Sequence, residues 1–547
     1  MTHLGSRSRV GFVTGGVLAV LLLAPVLGPG YVLIRDMSFV PRTPIGDQLL
    51  GLDSVPRGVP SELVIALAGR VVATGWLQDL VLVALVVAGA WGAARLAPTT
   101  SRVGAAAAAT TYGWSPYLHE RLLLGQWALL VGWAVLPWAV RAALDWRRGA
   151  TGWWAVGALA ISALAGANAL LLVGLAVVLC GRPGRALGAV LVLSLPWAVP
   201  GLLQHQVAGD PAGVAAFAAN SDSPLGVLAS VLTGGGVWAR EAVPPGRSAG
   251  SWIALLIVLV ALLGLPLLRR RVGDRLLAAG LAGLVLALLG SVPGTDRALR
   301  WAVVHVPAAG LLRDGQKWVA AFVLLVAVAL GCAAERLLSS TREAPARSLL
   351  AGVLVLAPLA ALPGAAWAEG GTLRVSHYPA AWVQVTRQAH GPVLVLPWNQ
   401  YRAFPWDHRV PLLDPAGKML VRPVLDDSLP LAGSRVRGED PLARRLDADV
   451  RSGRPLLPAL RRAGISQVLV EQTTSGYDGA TADRQVEGLA VVARTPELAL
   501  YAVPGGGRRQ PTVGAWPVGL ADAVALAFVA ITLGGVIRAR RTYAPAD

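Results

Sequence analysis

Residues 105–138 read AAAAATTYGWSPYLHERLLLGQWALLVGWAVLPW. Two apolar runs flank a charged triplet, His119-Glu120-Arg121, that follows the turn at Ser115-Pro116. The runs read as helices inside a bilayer, with the triplet at a membrane face between them. The rest of the chain favours that reading. Of its 547 residues 55% are hydrophobic and 14% are charged, against roughly 25% charged in an ordinary soluble domain. The mean hydropathy is +0.58. Many apolar runs reach the roughly 17–25 residues that a helix needs to cross a bilayer. The chain therefore reads as a multi-pass, mainly α membrane protein.

The net charge is +17. Nucleic acid is excluded as the reason, because arginine marks the cytoplasmic ends of membrane helices. The two cysteines, Cys180 and Cys332, lie near the ends of apolar runs and read as packed thiols. Two cysteines cannot build a zinc site or a disulfide framework. The first apolar run, 10–34, lacks a clear small-x-small cleavage site and reads as a retained anchor.

Twelve spans are expected, near 10–33, 76–97, 103–116, 125–141, 152–166, 168–181, 186–203, 251–268, 276–292, 317–334, 348–366 and 515–537. The stretch 152–181 also reads as one kinked span. With the N-terminus in the cytoplasm, the basic loops alternate correctly. Arg141, Arg147, Arg148, Arg182, Arg185, Arg269–Arg271, Arg275, Arg336, Arg342, Arg347, Arg538, Arg540 and Arg541 all fall inside. The same threading divides the chain into a membrane region (1–366), an extracytoplasmic block (367–514), and a last span with a basic cytoplasmic tail (515–547). In the block, 393–396, 467–470 and 498–503 read as strands. Helical stretches at 380–389 and 455–463 precede the first two, and Gly464 fits a helix stop. Helix-then-strand order suggests a small α/β domain.

Charges that break the loop rule gather in the outward segments. The first, 35–75, carries Arg35, Asp36, Arg42, Asp47, Asp53, Arg57, Glu62 and Arg70; a later one carries Asp296, Arg297, Arg300, His305, Arg313, Asp314 and Lys317. Pairing among themselves over the lipid headgroups is the plain explanation. The alternative is a shared wet cavity, since charges at membrane depth face a bundle interior or water. Asp36, Glu120 and Asp314 each stand at an outer helix end beside a base. Arginine forks fit phosphate, and a carboxylate beside them can take a proton from a hydroxyl. The segment 61–72 is apolar but too short to span, and reads as an interfacial helix. The 19 tryptophans read mostly as interfacial belts, with Trp114, Trp127 and Trp318 set beside the charges.

Three stretches carry a resemblance: Arg35-Asp36 after the first span, SPYLHERLLLGQWALLVGWAVLPW (115–138), and LLRDGQKWVAAFVLL (311–325). With these the chain resembles GT-C-type membrane glycosyltransferases, particularly the GT-C region of actinobacterial arabinofuranosyltransferases. LRRAGISQVLVEQ (460–472) and LALYAVP (498–504) look like parts of the soluble domains of such proteins. The long carbohydrate-binding extension of the large enzymes is missing. The resemblance implies a plasma-membrane enzyme with a polyprenyl-phosphate sugar donor and a cell-envelope glycan acceptor. It implies Asp36 as catalytic base, and Arg35, His119, Glu120, Arg121, Arg313, Asp314 and Lys317 as donor-binding or cavity-lining residues. No cofactor is assigned; some such enzymes use a divalent metal, and no ligand cluster of diagnostic spacing stands here. A lipid-linked glycan flippase and a non-catalytic envelope scaffold are the competing readings. Nucleotide use is disfavoured, because no phosphate-binding glycine loop stands between a strand and a helix.

Overall fold

Alanine and glycine let helix backbones approach closely in a medium where lipid is as apolar as leucine. The computed structural model describes residues 2–53, 55–204, 209–431, 434–507 and 512–542. It begins with α1 (Thr2–Leu23), α2 (Ser61–Ala68), α3 (Thr74–Leu96), α4 (Arg102–Gly113), α5 (Pro116–Leu123) and α6 (Trp127–Arg147). A Cβ on Gly15 of α1 would sit 2.9 Å from the Val87 carbonyl oxygen of α3. A Cβ on Gly104 of α4 would sit 2.5 Å from the Gly331 carbonyl oxygen. Backbone therefore meets backbone where α4 crosses the helix Val319–Ser340. That helix is the centre of the bundle: 89% of its span is buried, against 17% for the neighbouring Ala344–Ala361.

Most of the chain is helical. Among the described residues seven helices are long and apolar enough to cross a membrane, beginning with Gly5–Val26 and ending with Ala515–Arg540. An eighth arises if Arg247–Leu262 and Leu265–Val272, bent by 50° at their junction, form one span. A helix stands at each of the twelve expected positions, but four are short. Helix α4 and helix α7 (Trp153–Leu164) have 12 residues each; α8 (Ala167–Cys180) and the helix Arg275–Leu288 have 14. They rise only about 18–21 Å, against a hydrocarbon core of about 30 Å. Gly166, at φ +105, separates α7 from α8, so 152–181 is two helices meeting at this glycine rather than one kinked span. The helix α9 (Pro183–Leu203) follows at full length.

The chain beyond the helix Ala344–Ala361 builds a five-stranded mixed sheet. Its strands run in the order Ala490–Arg494, Leu498–Ala502, Gln467–Glu471, Pro392–Leu396, Arg422–Val424. The first two pairings are antiparallel and the last two parallel. Pro392–Leu396 and Gln467–Glu471 are buried along their whole length, as continuous aliphatic runs in parallel strands are. Helices Ala380–Thr386 and Leu457–Ala463 precede them, and Gly464 ends the second at φ +69. Beside the sheet a hairpin, Tyr401–Ala403 with Pro411–Leu413, reaches the first loop. Arg35 N–H donates to the Pro411 carbonyl (2.8 Å) and Leu413 N–H to the Arg35 carbonyl (2.7 Å). Tyr31–Val32 pairs with Val375–Ser376 in the same way. Residues 205–208 of the loop after α9, and the tail 543–547, lie outside the described residues.

Candidate functional site

Successive residues of a helix point about 100° apart, so His119, Glu120 and Arg121 on α5 face three directions. All three are fully buried. The His119 ring packs edge-on against Trp114, and its Nδ1 lies 2.6 Å from Glu369 Oε1. Glu369 reaches it from a left-handed turn: Trp367, Ala368, Glu369 and Gly370 have φ between 54° and 62°. That conformation costs about 1–2 kcal/mol for each non-glycine residue, so tertiary contacts hold it. Glu120 accepts from Gln316 Nε2 at 2.9 Å and faces Asp222. Asp222 in turn accepts from Arg247 Nε (3.2 Å) and Gly236 N–H (2.7 Å). Burial, then the neighbouring Asp222, pushes the Glu120 carboxyl well above its usual range. For Asp222 burial is outweighed by Glu120, Arg247 and the Gly236 amide, and its carboxyl is held below its usual value. The two facing carboxyls are thus pushed in opposite directions.

Arg121 makes a two-pronged contact with Asp314, at 2.5 and 2.8 Å, and also donates to Gln126 Oε1 at 2.5 Å. Gln126 Nε2 donates to Asp36 Oδ2 at 3.3 Å. Asp36 and Asp314 therefore belong to one network, while Glu120 points away from it. The Asp36 loop is seated on the turn after α5. Asp36 N–H donates to the Leu124 carbonyl, and Gly125 at φ +75 leaves no room for a side chain. A Cβ there would lie 2.3 Å from both the Ile34 oxygen and the Met37 nitrogen.

Tyr401 completes Asp36's surroundings from the hairpin, its phenol donating to Asp36 Oδ1 at 2.6 Å. Burial raises the Asp36 carboxyl, and the Tyr401 and Gln126 hydrogen bonds offset only part of that rise. Arg57 pairs with Glu439 (3.2 Å) and Asp427 (3.4 Å), and Glu439 with Arg313 (2.9 Å). The hydrogen-bonded circuit is therefore Tyr401, Asp36, Gln126, Arg121 and Asp314, and Arg57, Glu439 and Arg313 form a second, ion-paired chain. The Arg57 side chain is 50% exposed and that of Asp314 22%, so both reach the surface.

Arg35 is not part of the circuit. Its guanidinium donates to the Leu123 (2.6 Å) and Glu241 (2.8 Å) carbonyls and fastens loops. Asp47 and Asp53 both pair with Arg422 of the sheet region. Lys317 Nζ donates to Asn168 Oδ1 (2.8 Å) and the Leu311 carbonyl, above the Trp318 ring. Trp114, Trp127 and Trp318 are buried and offer no open face to a sugar. Sequence reasoning did not single out Gln126, Asp222, Arg247, Glu369, Tyr401 or Glu439. The only local signal was the polar run Trp398 to Arg402 after an aliphatic strand.

Among the described residues no group of three or more His, Cys, Asp or Glu is placed to hold a metal ion. Asp36 and Asp314 are engaged by arginine, glutamine and tyrosine, a donor set that does not fit a divalent cation. Comparisons of the chain with protein-family models, with curated proteins and with solved structures each return no match.

Proposed function

We propose that this chain is an integral membrane glycosyltransferase of GT-C type. It moves a sugar from a polyprenyl-phosphate donor to an extracytoplasmic glycan or lipid acceptor at the plasma membrane. The observation that carries the reading is Asp36: a carboxyl raised by burial and joined through Gln126 to the Arg121–Asp314 pair, with Arg57 and Arg313 bridged by Glu439 on the same side of the chain's first loop. In the proposed step Asp36 takes the proton of the acceptor hydroxyl. The hydroxyl oxygen bonds to the anomeric carbon as the bond from that carbon to the phosphate oxygen breaks. The electron pair leaves with the lipid phosphate, and Arg57 and Arg313 offset its charge. Tyr401 and Gln126 orient the carboxylate, and no step runs through a metal. His119 and Glu120 act as internal ties of the bundle, because each is closed off by protein partners.

A second reading, a lipid-linked glycan flippase, takes support from the bent pair Arg247–Leu262 and Leu265–Val272, since broken helices recur in transporters. One assay separates the two. Membranes carrying Asp36→Asn, given a radiolabelled polyprenyl-phosphate sugar, should transfer about 10²–10⁴-fold more slowly than wild type. Donor binding should survive. Wild-type transfer should rise with pH through the raised Asp36 value, as more carboxylate forms. Full transfer by Asp36→Asn would falsify the base assignment, and lipid movement without transfer by wild type would favour the flippase.

A further inference from the structure

A recess of about 470 Å³ lies between loop 41–45 and the last turn of α2, floored by Thr74 and Val421. It shares no residue with the Asp36 circuit. Two guanidinium groups stand at it, Arg42 and Arg70. Both residues are exposed, and neither has a carboxylate partner among the described residues. The other first-segment arginines are engaged, Arg35 by two carbonyls and Arg57 by two carboxylates. Two acids of the same segments are also engaged, Asp47 by Arg422 and Glu62 by Lys418. The positive charge at the recess is therefore uncompensated.

The surface beside it is apolar and bare. Leu67 is 49% exposed, Val71 87% and Trp76 55%. Trp76 lies in the first turn of α3, an apolar span, where an indole belongs at the headgroup level. Arg70 precedes that span by four positions, so its charge stands at phosphate height. Cations without a carboxylate, above bare aliphatic surface at the membrane boundary, match a lipid with a net negative head. The forks hold the phosphate, and Leu67 and Val71 meet the acyl chains.

We propose that this recess is a docking site for the phosphate of an anionic membrane lipid, separate from the Asp36 circuit. Acidic lipid bound there braces α2 against the first loop.

The test uses the full chain in neutral detergent and counts retained lipid by native mass spectrometry. The probes are phosphatidylglycerol, phosphatidylcholine and inorganic phosphate. Wild type should retain one phosphatidylglycerol in preference to phosphatidylcholine. Arg42→Ala/Arg70→Ala should weaken that retention about 25-fold, since each basic residue near an anionic lipid surface contributes about fivefold. Arg42→Lys/Arg70→Lys should keep most of it, which separates loss of charge from local collapse. Equal retention by wild type and the alanine pair overturns the proposal. So does displacement of the lipid by equimolar inorganic phosphate, which marks a soluble-anion site. Because the readout is lipid retention, the result stands whether or not the chain transfers sugar.

Discussion

Glu120 and Asp222 face each other as a buried carboxyl pair, and their different neighbours push the two groups in opposite directions. Glu120 has no cation in direct contact, whereas Asp222 has Arg247 and a backbone amide. Replacing Glu120 with Gln gives a donor toward Asp222 and keeps an acceptor for Gln316, so stability should change by less than about 1 kcal/mol. Asp222→Asn leaves Arg247, itself only 1% exposed, without its charge partner. That change should cost about 3–5 kcal/mol. The linkage has a sign. Because the folded Glu120 value is raised, its contribution to stability is full at low pH and lost as pH rises through that value. Glu120→Gln should remove this slope. Thermal unfolding of the purified variants across pH reads both effects, and equal losses for the two would contradict the opposed shifts. The oddity of His119-Glu120-Arg121 was legible in the sequence because three polar residues interrupt apolar runs. Their partners were not. Arg121 and Asp314 are 193 positions apart, His119 and Glu369 250, Asp36 and Tyr401 365. No periodicity reaches across such distances.

Elements were legible where composition determines local structure. The aliphatic runs at 393–396 and 467–470 are strands because β-branched and leucine side chains fill both faces of a buried sheet. The number of spans was less legible, because helices of 12–14 residues are as apolar as longer ones yet too short to cross a bilayer. Glycine turns set where such elements end, Gly166 between α7 and α8 and Gly125 after α5. The second is testable. In Gly125→Ala the new Cβ must displace the Asp36 loop, because it would meet backbone atoms of Ile34 and Met37 at 2.3 Å. The expected cost is about 1–3 kcal/mol of stability. Sugar transfer should fall well beyond what that loss explains, because Asp36 moves away from Gln126 and Tyr401. Wild-type transfer by the variant would mean that the loop has no catalytic part. In the sheet region Asp407 gives a pH test. Burial pushes its carboxyl up to about 7, and the Ser376 hydroxyl, 2.6 Å from Oδ1, offsets only part of the rise. The unfolded chain loses this proton at lower pH than the native one. Stability should therefore fall from about pH 4 to 7 and level off above. Asp407→Asn should flatten that fall in an unfolding series, and an unchanged slope would assign it to another group.

At the scale of the whole molecule, two ends of the bundle differ in chemistry. At one end Arg271 pairs with Glu335 (2.8 Å), Arg148 donates to the Arg271 carbonyl, and Arg7 to the Thr99 carbonyl. The arginine-rich turns meet there. Asp36, Arg57, Arg121 and Asp314 gather where the sheet region contacts the first loop. A membrane between these ends, with the arginine-rich end inside, satisfies the positive-inside rule and puts the sheet outside. Cysteine labelling tests the orientation cleanly, because both native cysteines are buried and silent toward a polar reagent. Glu487 is exposed in the sheet region, and Ser340 is exposed where the central helix ends beside the arginines. With a membrane-impermeant maleimide on intact cells, Glu487→Cys should be modified at once. Ser340→Cys should react only after lysis. The opposite pattern would turn the molecule over and remove the extracytoplasmic acceptor. Labelling of both in intact cells would mean that these two ends do not lie on opposite sides of one membrane.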